Sequence, residues 1–215
     1  MPAVTPPGRT GDDMSEPGPG YDLRKLPLEG MGPHSLPWWG TVAFMVIEGT
    51  TLVICLVAYA YLGRNFESYP PPGNAHPDLL IPSIGVALML ISLAASSRLK
   101  KSAHQYDRTG VIRHGGMLVA LGVAITIIRA VELGSLNVRW DTNAYGSVLW
   151  FTVGAHSLLL LIDVAESIAI FLIFRTGRQE HKHYGDAADD ALYWNFIVLT
   201  WIPIYLAMIV GPHLF

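Results

Sequence analysis

Residues 38–62 read WWGTVAFMVIEGTTLVICLVAYAYL, a run of 25 positions whose single acidic or basic side chain is Glu48. About 20 apolar residues suffice to carry a helix across roughly 30 Å of hydrocarbon. The run lacks the period-two alternation of a membrane strand, so only a helix can satisfy its backbone inside a bilayer. Four further apolar windows follow. Residues 79–97 are uncharged, and 112–134 carry Arg113 at the start with Arg129 and Glu132 near the end. Residues 145–174 hold His156, Asp163 and Glu166, and 192–212 are again uncharged. The expected fold is all-α: a polytopic membrane bundle of five transmembrane helices.

Composition agrees with this reading. The chain has 215 residues, of which 51 % are hydrophobic and 14 % charged, against about 25 % charged in a typical soluble domain. A net charge of −3 with no basic stripe excludes a nucleic-acid partner. The single cysteine, Cys55, excludes a disulfide framework or a thiolate metal cluster. Residues 1–37, rich in Gly and Pro, are expected to form a disordered tail, with the bundle occupying 38–213. Segments 63–78, 98–111, 135–144 and 175–191 read as loops, and no internal repeat is visible. With five crossings, Arg9, Arg24, Lys25, Arg98, Lys100, Lys101, Arg108, Arg113, Arg175, Arg178 and Lys182 share a side; only Arg64 and Arg139 lie opposite. Positive charge stays cytoplasmic, which predicts an inside N-terminus and an outside C-terminus.

Few residues here can carry chemistry. Glu48 lies near the middle of the first span, where a carboxyl group must find a protein partner, so it is expected to face the bundle. His156, in the fourth span, sits at the same depth at 1.5 Å per helical residue, and the two are expected to meet directly or through one residue. Arg129 and Glu132, three apart, form a candidate ion pair. Asp163 and Glu166 share a face toward the cytoplasmic boundary and read as interfacially solvated. Gly116, Ala120 and Ala124 form a small-residue stripe suited to close helix contact. Pro82 and Pro203 are candidates for unwinding their helices. His181 and His183 flank Lys182 without a third ligand, which makes a weak metal motif. One mid-membrane histidine and one cysteine supply no set of haem or copper ligands, so no cofactor, metal site or catalytic residue is expected.

Three stretches resemble cytochrome c oxidase subunit III. The first is Trp38-Trp39-Gly40 leading through Phe44 to Glu48 and on to the exit Ala58-Tyr59-Ala60-Tyr61-Leu62. The second, Asn143 to Ser147 followed by Thr152, Gly154 and His156, is similar to that family's G-S-x-F-F-x-L-T-G-F-H segment. The third, Tyr193-Trp194-Asn195-Phe196 with Trp201 and Tyr205, resembles its Y-W-H-F-V-D-V-V-W-L-F-L-Y signature. His183-Tyr184-Gly185 matches its H-F-G turn, and Arg175 an arginine ending the preceding helix. Leu159, Asn195 and Val198 stand where the family has histidine, histidine and aspartate. The resemblance implies a short five-helix bacterial form: a non-catalytic accessory subunit of a haem–copper terminal oxidase in the inner membrane. It would bind the catalytic subunit and phospholipids, support complex stability, and serve proton or oxygen access. Trp38, Trp39, Arg175, His183, Tyr193 and Trp194 are its candidate lipid or interface residues. Accessory subunits of nitric oxide reductases share these features. A stand-alone carrier using Glu48, Arg129 and Asp163 is the alternative of a different class.

Overall fold

The computed structural model describes residues 30–66 and 68–214; most of the expected N-terminal tail lies outside the described residues. Five long helices carry the chain: α1 (Leu36–Gly63), α2 (Leu80–His104), α3 (Arg108–Gly134), α4 (Ala144–Arg175) and α5 (Lys182–Ile204). All are long and apolar enough to cross a membrane, α5 together with the residues that follow it to His213. No strand occurs among the described residues. The protein is an all-α, multi-pass membrane protein.

The helices begin where local chemistry lets them. Ser35 caps α1 by accepting from Trp38 N, with Pro37 in the first turn, where no amide proton is needed. A 3₁₀ turn over Gly32–His34 precedes it, so ordered structure reaches back into the last residues of the expected tail. Asn143 caps α4 through Gly146 N at 2.8 Å.

Two connections are shorter than the charge pattern suggests. Helix α2 runs to His104 and α3 begins at Arg108, which leaves three residues where a 14-residue loop was expected. Tyr106 makes that tight turn at φ 53. Helix α5 starts at Lys182, ten residues before the apolar window. Ala187, Ala188 and Ala191 are strong helix formers. Charge marked this segment as a loop, but the helix runs through it from Lys182.

Of the two prolines, Pro82 falls in the first turn of α2 and breaks nothing. Pro203 lies inside α5 and is followed by a π-helical segment, Tyr205–Val210, where the missing amide proton disturbs the ladder.

Helix α2 packs most extensively against α3 and α5; α3 packs on α4 and α4 on α5, while α1 rests more lightly against α4 and α5. The buried face of α3 is Gly115, Leu118, Gly122, Ile125, Arg129 and Glu132, spaced alternately three and four apart. The expected stripe only partly takes this role. A Cβ on Gly116 would come 3.1 Å from Phe171, but Ala120 is exposed. Gly122 lies closer to its neighbours than Gly116 does: a Cβ there would stand 2.8 Å from Val164 and 3.0 Å from Trp194.

Candidate functional site

One face of α1, formed by Pro37, Gly40, Thr41, Phe44 and Glu48, borders a groove against α4 and α5. Ile162 and Glu166 of α4, with Asp189, Asp190 and Tyr193 of α5, complete a space of about 410 Å³. On α1, positions 37, 41, 44 and 48 recur at steps of four and three, as one helix face must, with Gly40 beside them. Glu48 turns inward there, and the Tyr193 hydroxyl donates to its Oε2 at 2.6 Å. Glu48 therefore faces protein, and its partner is Tyr193 in place of the expected His156.

His156 of α4 is fully buried and meets α5 one turn beyond Tyr193. Its Nε2 is 2.9 Å from the Ile197 carbonyl, which can only accept, so Nε2 carries the proton. The ring also sits 4.8 Å from that of Trp201. Tyr193 and Ile197 are four apart on α5, so Glu48 and His156 dock on successive turns of a third helix. Helical rise bears on depth and says nothing about azimuth, and the two side chains take separate partners on α5.

Arg129 and Glu132 do form a buried ion pair at 3.0 Å, with side chains 4 % and 1 % exposed. The guanidinium lies 3.4 Å over the Trp201 ring, and its Nη2 is 3.9 Å from Met89 Sδ. A weakly hydrated planar cation suits this position better than an ammonium would. Around it Arg129 Nε, Glu132 Oε1, His156 Nδ1 and Trp201 Nε1 lack hydrogen-bond partners among the described residues.

Asp163 is the larger correction. It is fully buried, not solvated at a boundary, whereas Glu166 is exposed on the groove. Asp190, which the sequence reading missed, is 3 % exposed and accepts from Ser167 Oγ at 2.8 Å. Had the helical period been carried back from Trp194 through the alanines, Asp190 would have appeared three residues before Tyr193, beside the groove.

The interface candidates divide. Trp38 and Trp39 are half-buried at the start of α1, and Trp39 Nε1 donates to the Pro33 carbonyl at 3.0 Å. Arg175 is exposed at the end of α4. Tyr193 lines the groove. Trp194, by contrast, is fully buried and donates to Ser92 Oγ at 2.7 Å, so it ties α5 to α2 and touches no lipid. His183 Nδ1 accepts from Glu180 N at 2.7 Å, while His181 stacks on Tyr106 at 4.4 Å. The two histidines have separate roles. Among the described residues no group of three His, Cys, Asp or Glu side chains could hold a metal.

The model of one protein family, cytochrome c oxidase subunit III, matches residues 39–211. That range takes in all five helices. The chain belongs to the cytochrome c oxidase subunit III family. It is similar to cytochrome c oxidase subunit 3 of the cyanobacterium Synechocystis, 23 % identical over 187 residues, covering 84 % of this chain and 79 % of the relative. The subunit 3 of Pisaster ochraceus is 27 % identical over 199 residues, covering 86 % of this chain and 75 % of that protein. That of Sus scrofa is 26 % identical over 142 residues, 64 % and 54 % of the two chains. The subunit III match contains both polar groupings just described: the Glu48–Tyr193 groove and the Arg129–Glu132–His156 node.

Proposed function

We propose that the chain is a non-catalytic accessory membrane subunit of a haem–copper terminal oxidase. It associates with the other oxidase subunits and works in aerobic electron transport. The observation that carries this reading is the subunit III match running from Trp39 to Gly211 through every helix. The polar groups support a structural part. Glu48, Arg129, Glu132 and His156 each bind a neighbouring helix or turn, and their role is to hold the bundle in the shape its partner receives. Exposed apolar side chains along α1, including Phe44, Ile47, Ile54 and Tyr61, suit phospholipid or a partner's helices.

The membrane is the bacterial inner membrane, entered with the N-terminus cytoplasmic, in keeping with the crowding of Lys and Arg at that end. Affinity purification of the tagged full chain from its native membranes in mild detergent tests the assignment. A haem–copper catalytic subunit should co-elute, and the complex should consume oxygen. Absence of any haem–copper partner overturns the proposal; a complex that reduces nitric oxide but not oxygen replaces it with the reductase reading.

A further inference from the structure

Behind the groove lie two buried carboxyl groups, Asp163 shut off from solvent and Asp190 touching the groove at one edge. Asp163 is 0 % exposed and Asp190 3 %. Asp190 Oδ1 accepts from Ser167, but Asp190 Oδ2 and both Asp163 oxygens have no hydrogen-bond partner among the described residues. Ser167 stands one turn beyond Asp163 on α4. The serine that grips Asp190 therefore presents the Asp163 carboxyl to the same side of α5. The charged groups that bear on Asp163 are Asp190 of α5, Glu166 of α4 and Glu48 of α1, all acidic. Tyr193 faces it with a neutral hydroxyl already given to Glu48. Asp186, Lys100 and His104 act further out, on Asp189. None of the residues lining the groove is basic.

Three buried acceptor atoms without a donor, and no cation among them, leave one inexpensive way to complete the hydrogen bonding: a proton placed between the two acids. We propose that Asp163 and Asp190 form a proton-binding site, sharing one proton that exchanges with the aqueous groove. Asp190 lines the groove and is the port. A hydronium ion of the groove water gives up its proton there and leaves as water. Release reverses the same transfer, so no other reactant is needed. Glu166 and Asp189 at the rim concentrate the incoming cation. The site stands on this chain's own residues and does not depend on which complex the chain joins.

Infrared spectroscopy of the full chain in lipid nanodiscs, with and without aspartate carrying ¹³C at its carboxyl, tests the proposal. At neutral pH a carbonyl band of a protonated carboxyl is expected, equivalent to one group per chain. It should shift with the aspartate label, which distinguishes it from Glu48 and Glu166, and should respond to D₂O. Asp163→Asn and Asp190→Asn should each abolish it. Ser167→Ala, a smaller change that removes only the donor to Asp190, should move its frequency. Absence of a labelled band in the wild type overturns the proposal and leaves an ionised or cation-neutralised pair. A band that survives both aspartate variants, or is lost in only one, also overturns it. If neither aspartate variant folds, a Ser167→Ala band at the wild-type frequency overturns it, and a displaced band sustains it.

Discussion

Tyr193 and Glu48 make the hydrogen bond that fastens the most loosely packed helix to the bundle. Hydrogen bonds between membrane helices average about 0.6 kcal/mol and reach about 1.7 kcal/mol. Tyr193→Phe and Glu48→Ala should each lower the denaturation midpoint in detergent, and the double variant should cost no more than the larger single change. Glu48→Gln retains an acceptor for the tyrosine and should stay near wild type. Full additivity in that cycle would mean that the two side chains do not interact. The Arg129–Glu132 pair should behave more severely, because removing one partner strands a buried charge at about 3–5 kcal/mol. Arg129→Leu alone should therefore destabilise far more than Arg129→Leu combined with Glu132→Leu. Equal losses in the single and double variants would refute the idea that a stranded charge is the cause. The three-residue spacing of this pair was legible in the sequence, since both partners lie on one helix. Their seat on Trp201 was not, because it depends on how α5 is rotated against α3.

At the scale of a helix, the buried face of α3 shows what a residue spacing can and cannot reveal. Gly116, Ala120 and Ala124 recur every four residues, but a helix turns every 3.6, so a period-four stripe drifts around the cylinder and Ala120 emerges on the surface. The contact face instead alternates three and four through Gly115, Leu118, Gly122, Ile125, Arg129 and Glu132. Large side chains such as Arg and Glu kept this face from reading as a packing seam. Gly122→Val should cost about 1–3 kcal/mol, as overpacking does, because Val164 and Trp194 already occupy the space of a Cβ. Ala120→Leu on the same helix should be neutral. Comparing the two in one unfolding assay separates packing from helix propensity, since leucine and alanine both favour helices while valine is weaker by only a few tenths of a kcal/mol. Similar stability of both variants would show that α3 and α4 do not approach as closely as described. The extension of α5 to Lys182 follows the opposite logic: hydropathy ended the span at residue 192, and alanine propensity carried the helix on.

For the whole molecule, five spans and their order were legible because apolar length is a one-dimensional property. Which faces meet was not, because an uncharged stretch such as α2 up to Ser97 carries no charge pattern to mark a preferred neighbour. Orientation rests on a third kind of information, the distribution of charge between loops. The turn at 105–107 and the segment 176–181 share an end of the bundle with the start of α1, while the 135–143 connection lies at the other. Eleven of the fourteen Lys and Arg residues belong to the first end or to the tail joined to it. If positive charge is retained in the cytoplasm, the exposed Trp140 lies outside and the exposed Arg178 inside. A membrane-impermeant maleimide applied to intact cells should then label Trp140→Cys and spare Arg178→Cys, with both labelled once the cells are opened. The native Cys55 is buried within α1, and Cys55→Ser in the background removes its contribution. Arg178→Cys costs one positive charge and leaves ten on that side, so the bias that sets the topology persists in the variant. Labelling of Arg178→Cys alone in intact cells would invert the bundle and move the carboxylate groove to the outer face. The acids at the rim would then draw their protons from the opposite compartment.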